Sequence, residues 1–212
     1  MRAEPTPAIA LGGPRALTLP ELEDLALGRA RMVLADAARA RAEASARKVE
    51  AALAGGPPVY GITTGFGASV SNDVPREAAW ETAANLFRYH GCGVGEPLSV
   101  VESSAVMVAR AASLSRGFSG VRPVLLERLF AVHAAGVRPV IPALGSVGAS
   151  GDLTPLSYLA ALLAGEREAW LEGRPMEAAE ALRARGLAPL VLAPKESLAI
   201  MNGTSVMTAL GG

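Results

Sequence analysis

Glycine comes in clusters in this chain, and the clusters cut it into helical pieces. Gly61, Gly65 and Gly67 fall in the run VYGITTGFG at 59–67; Gly91, Gly93 and Gly95 follow; and Gly145, Gly148 and Gly151 stand in GSVGASG at 145–151. None of these runs can continue a regular helix, because glycine loses more backbone freedom on ordering than any other residue. They predict tight loops whose backbone approaches something closely. Between them the pattern is helical. TLPE at 18–21 and SVVE at 99–102 are capping boxes, the first with proline inside its opening turn. Periodicity predicts helices over 19–34, 36–53, 75–90, 100–117, 123–135, 153–164 and 175–185, and a last one from residue 195 that breaks at Asn202-Gly203. Leu22, Leu25 and Ala26 should face inward in the first, and Leu125, Leu126 and Leu129 in the fifth. Residues 137–141 are expected to be extended, with Pro139 and Pro142 limiting pairing, and 169–174 to form a hairpin turning at Glu172-Gly173.

With 50% hydrophobic residues but only 4% aromatics, the chain must build its core from alanine and leucine, as closely packed helices do. The 212 residues show no clean internal boundary and read as one unit over 1–212. Twenty basic residues balance twenty acidic ones, so bulk charge offers nothing to a nucleic acid. A single cysteine excludes an intramolecular disulfide and any metal site on paired cysteines; Cys92 itself reads as a small buried hydrophobe. The N-terminus MRAEPTPAIALGG lacks the apolar core of a signal peptide, and no apolar run reaches membrane-spanning length. The expectation is a cytoplasmic location with no membrane partner. The chain stops at Gly212 within an apolar helical pattern, with Val206, Met207, Ala209 and Leu210 left to pack against helices downstream. It therefore reads as the first part of a longer helical protein.

Common site patterns are missing. His90 and His133 stand far apart, and there is no HExxH pair, so no metal site is expected. Gly-Ala-Ser-Gly at 148–151 lacks the GxSxG spacing of a hydrolase, Gly65-Phe-Gly67 is not a dinucleotide fingerprint, and no phosphate-binding GxxxxGK[ST] occurs. What remains is GSVGASGDLTPLSYL at 145–159.

That segment resembles the signature of the histidine, phenylalanine and tyrosine ammonia-lyases and the related 2,3-aminomutases. YGITTGFG at 60–67 is similar to the family's N-terminal active-site loop, and NLFRYHGCGVG at 85–95 to its substrate-selectivity stretch. SGVRP at 119–123 and NGTS at 202–205 match two further family segments. The resemblance covers nearly the whole chain but only roughly the first two fifths of a typical member. It implies a mainly α fold: the mixed N-terminal region of the fumarase/aspartase-like helical architecture, stopping before the central helix bundle is complete. It implies a homotetramer whose active sites each draw on three subunits. It also implies that Ala149, Ser150 and Gly151 cyclise to 4-methylidene-imidazol-5-one (MIO), with no external cofactor. Gly151 would offer an unhindered amide nitrogen to the Ala149 carbonyl, two waters would leave, and the Ser150 side chain would become the methylene.

The remaining roles follow from the same resemblance. Tyr60 is the expected base for the β-proton, although a free tyrosine titrates at about 10. Asn202 would bind the substrate's carboxylate or amino group, and Gly67 would line the site. Tyr89-His90 departs from the Ser-His pair of many histidine- and tyrosine-specific members and from the apolar residues of phenylalanine-specific ones. His90 can hydrogen-bond a phenol or an imidazole. Most histidine-specific members have Ala-His where this chain has Ser157-Tyr158, which favours a tyrosine-like substrate. The expected reaction is elimination of ammonia from an L-aromatic amino acid to a trans-arylacrylate. A tyrosine or phenylalanine 2,3-aminomutase, a histidine ammonia-lyase and a non-catalytic interaction fragment are the alternatives. Because later residues complete the family's site, these 212 residues are not expected to turn over alone.

Overall fold

The computed structural model describes residues 6–148 and 151–212, so Ala149 and Ser150 lie outside the described residues. The fold is mainly helical, as the resemblance implies. Its helices are α1 (Leu19–Ala26), α2 (Asp36–Ala54), α3 (Ala79–His90), α4 (Val100–Leu114), α5 (Pro123–Ala134), α6 (Leu153–Ala164), α7 (Ala178–Ala184), α8 (Glu196–Met201) and α9 (Ser205–Gly211). Both capping boxes form: Thr18 and Ser99 each accept from the backbone N–H three residues on, and Glu21 and Glu102 reach back to the cap backbone.

α6 is the centre of the molecule. Residues from Pro155 to Leu163 are all buried, which is what an apolar helix without a polar stripe requires. α3, α8 and α5 pack around it, and α4 bridges α1, α5 and α9. Leu25, Leu125, Leu126 and Leu129 point into the shared core as expected, and Leu22 packs against its edge.

Short strands tie the helices together. β1 (Ala8–Leu11) pairs in parallel with β2 (Arg31–Leu34), β3 (Val94–Pro97) runs antiparallel to β5 (Pro142–Leu144), and β4 (Arg138–Pro139), β6 (Glu168–Leu171) and β7 (Arg174–Glu177) form an antiparallel sheet.

Several sequence expectations are corrected. The first helix does not run to Leu34. It stops at Ala26, Gly28 takes φ +73°, and the Asp24 carbonyl accepts from Arg29 and Ala30, freeing residues 31–34 for β2. Periodicity alone could not see a partner strand at residues 8–11. The helix expected from Pro175 starts at Ala178, because residues 174–177 complete the hairpin with β6. Cys92 is exposed, not buried. Val206 is buried within the chain itself, whereas Met207 and Leu210 are exposed as expected.

Candidate active site

Three glycine loops meet around α6 and α8. Residues 59–67 form the first. The Val59 N–H donates to Thr63 Oγ1 at 2.8 Å and the Gly61 N–H to Thr64 Oγ1 at 3.3 Å, so the loop is braced by its own threonines. Gly61 has φ +66°, and a Cβ there would lie 2.5 Å from Leu198 Cδ2. Only glycine lets the loop lie this close to α8. Tyr60 projects from it half-exposed. Its phenol oxygen accepts from the Gly67 N–H at 3.1 Å, and its ring meets Phe66 edge to face at 6.2 Å. The two loop residues expected in the site, Tyr60 and Gly67, are thus joined directly.

Tyr89 and His90 close α3. Their rings lie 4.9 Å apart. His90 Nδ1 lies 2.8 Å from the Leu86 carbonyl oxygen, which can only accept, so Nδ1 carries the proton. In the neutral ring Nε2 is therefore an acceptor. Partial desolvation first, then the charge of Tyr60, raises the Tyr89 phenol above its ordinary value.

Tyr158 does not behave as a substrate-facing residue. It is buried on α6, its oxygen accepts from the Gly93 N–H at 3.1 Å, and the Arg167 guanidinium lies 4.9 Å over its ring. Arg167 also donates to the Arg88 carbonyl at 3.0 Å. The loop that follows His90 is therefore anchored to α6, and β3–β5 pairing of Val94 with Leu144 ties it to the third glycine loop.

At that third loop Gly151 adopts φ +75°, and an added Cβ would overlap the Gly203 carbonyl oxygen. The Asp152 N–H donates to the same oxygen at 2.7 Å. Asp152 sits at the N-cap of α6, yet its carboxylate turns away and accepts from the Val206 and Met207 N–H groups at 2.8 and 3.1 Å, capping α9. Asn202, at the end of α8, is exposed beside this junction.

Contacts thus run from the Tyr60 loop through α8 to Asn202-Gly203, to Gly151-Asp152, along α6 to Tyr158, and through Gly93 to the end of α3 at His90. Among the described residues no hydrogen bond joins the side chains of Tyr60, His90 and Asn202 to one another. A cavity of about 560 Å³ between β1, α1, α4 and the 202–208 segment reaches Asn202, but Tyr60, Tyr89, His90 and Gly151 do not line it. Among the described residues no group of three or more His, Cys, Asp or Glu could hold a metal ion.

Two buried charges at this end of the molecule were not anticipated. Glu196, fully buried, accepts from the Arg122 backbone N–H and side chain and from Ala193, so SGVRP serves to clamp α8. Arg110, on α4, reaches the turn at Asn202-Gly203. The available signal was a lone arginine on the apolar stripe that Met107 and Leu114 continue.

The structure is thus a helical chain that holds Gly151-Asp152 against the Asn202-Gly203 turn and packs a tyrosine-bearing glycine loop on α8. The chain belongs to the aromatic amino acid lyase family, whose model matches residues 17–212. It is 46% identical over 197 residues to a histidine ammonia-lyase of Aromatoleum aromaticum, covering 93% of this chain and 38% of that protein. The tyrosine aminomutase of Streptomyces globisporus superposes with a TM-score of 0.90 at 39% identity, over 96% of this chain and 38% of that one. The histidine ammonia-lyase of Trypanosoma cruzi does so with a TM-score of 0.88 at 35% identity, over 96% and 40%. The chain therefore spans about two fifths of the length of these relatives.

Proposed function

We propose that the protein is an MIO-dependent ammonia-lyase that eliminates ammonia from an L-aromatic amino acid bearing a hydrogen-bond donor on its ring, tyrosine before histidine. The observation that carries the donor requirement is the His90 Nδ1 contact with the Leu86 carbonyl, which leaves Nε2 as the acceptor. The residues flanking Ala149 and Ser150 suit cyclisation: Gly148 and Gly151 both have positive φ, and the carbonyl of Gly203 fills the space a side chain at 151 would need. When formed, MIO supplies the strong electrophile that loss of a poor leaving group requires. Tyr60 takes the β-proton, with its ring held by Phe66 and its oxygen by Gly67. Asn202 orients the substrate through its carboxylate or amino group, and Tyr89 lines the ring end beside His90.

A histidine substrate is the second reading, favoured by the 46% identity to a histidine ammonia-lyase. An imidazole N–H would serve the same acceptor. An aminomutase outcome, favoured by the aminomutase likeness, would return the amine to the β-carbon with the same residues. A non-catalytic fragment is the reading that an unmodified Ala149-Ser150-Gly151 backbone would support.

One set of measurements tests this. The intact mass of the whole protein should lie below the sequence mass by two water molecules, and Ser150→Ala should abolish both the deficit and turnover. His90→Phe should shift kcat/KM from tyrosine toward phenylalanine by the worth of one buried polar contact, about 1 to 3 kcal/mol. Chromatography separates arylacrylate from β-amino acid. Normal activity in Ser150→Ala defeats the MIO reading, and unchanged substrate ratios in His90→Phe remove His90 from specificity.

A further inference from the structure

Arg110 is 4% exposed in the middle of α4. Its Nη2 donates to the Ala199 carbonyl and to the Asn202 carbonyl, the latter at 3.2 Å, and its Nε finds no acceptor among the described residues. Gly203 presses against it so closely that a Cβ there would overlap Nη1. On its other side the same glycine receives the Gly151-Asp152 backbone, through the 2.7 Å bond from the Asp152 N–H. The Asn202-Gly203 turn is therefore held between a buried guanidinium and the loop that carries Gly151.

We propose that Arg110 is a positioning residue: by gripping the Asn202-Gly203 turn it sets where Asn202 stands and the backbone wall against which Gly151 and Asp152 are held. Burying a cation against carbonyls alone is an expensive way to hold a fold, since an apolar side chain of similar size fills such a space without desolvating a charge. Burial holds the guanidinium at about 10, below its usual value, and the nearby Asp152 charge counters only part of that. What an apolar residue could not do is draw two carbonyls at the end of α8 onto one point. In this role Arg110 acts through the turn.

The catalytic part of this inference rests on the proposed function, and its structural part does not. The test compares Arg110→Met and Arg110→Lys with the wild-type protein by hydrogen exchange, intact mass and steady-state kinetics. In Arg110→Met the amides of Asp152, Asn202, Val206 and Met207 should exchange about tenfold faster or more, while those of α5 keep wild-type protection. Fewer chains should show the two-water deficit, and kcat/KM should fall. Arg110→Lys keeps the charge but not the fork, so it should rescue part of each effect and guard against a misfolded methionine variant. Unchanged exchange at the four amides overturns the proposal. So does uniform acceleration that includes α5, which would make Arg110 merely a stabiliser of the whole fold. If wild-type protein shows no mass deficit, the MIO reading fails, and the exchange pattern still decides the role of Arg110.

Discussion

Gly151 shows how narrowly single residues are constrained here. Its φ of +75° would cost an alanine about 1–2 kcal/mol on backbone grounds. The overlap with the Gly203 carbonyl adds an overpacking cost of about 1–3 kcal/mol, because a backbone atom cannot swing aside as a side chain can. Gly151→Ala should lower the urea midpoint accordingly without changing the slope, and an unchanged midpoint would show that the loop can move. His133 makes a different prediction. It is buried on α5, with Nε2 3.0 Å from Ser104 Oγ. Burial first, then the charge of Arg138, pushes it down to about 3 from 6.5. The folded state keeps this ring neutral while the unfolded chain protonates below 6.5, so stability present above that pH is lost as pH falls toward 3. The loss should reach a few kcal/mol, on the order of 1.4 kcal/mol per pH unit in this window. Urea titrations at pH 7 and pH 4.5 check it, and in His133→Gln this part of the pH dependence should disappear.

Between elements, side chains that look like specificity residues can turn out to be anchors. Tyr158 read from the sequence as a hint about substrate, but its oxygen is occupied by the Gly93 N–H and its ring is covered by Arg167. Tyr158→Phe should cost about 1 kcal/mol of stability, the net worth of one hydrogen bond. The ratio of kcat/KM for tyrosine and phenylalanine should stay near wild type, in contrast to His90→Phe. A shifted ratio with unchanged stability would return Tyr158 to the substrate. The loop after His90 is held to α6 at two points, the Gly93 N–H on Tyr158 and the exposed Cys92, whose Sγ lies 4.0 Å from Thr154 Oγ1.

Taken whole, these residues form a packed unit with its own core, yet the groups proposed to carry the chemistry stand at its surface. Tyr60 is 47% exposed and Tyr89 59%, and Asn202 is exposed as well. Catalysis by orientation and by preorganised charge needs a site closed to water, and each can carry several kcal/mol of a barrier. Residues 1–212 on their own should therefore fold with a cooperative transition but show turnover many orders of magnitude below that of a full-length relative. The exposed Met207 and Leu210 should promote their self-association. Purified protein incubated with tyrosine, phenylalanine and histidine, with sedimentation in parallel, provides the check. Sustained turnover that is lost in Tyr60→Phe would show that the 212 residues are sufficient.

Much of this was legible from the sequence alone, because local signals are short-range. Capping boxes, glycine breaks and apolar periodicity located α2 through α6 closely, and the glycine runs pointed to loops, of which residues 59–67 pack on α8 and Gly151-Asp152 on the turn that follows it. What the sequence could not supply was set by partners distant along the chain. Residues 31–34 are a strand only because residues 8–11 lie beside them, and Pro175 is extended only because β6 is there to pair. The Asp152 carboxylate belongs to α9, 54 positions away, and Arg110 to a turn 92 positions away. The apolar stripe of α4 marks Arg110 as buried but cannot name its partner, because a bond over such distances leaves no local pattern, so tertiary packing alone decided which groups meet.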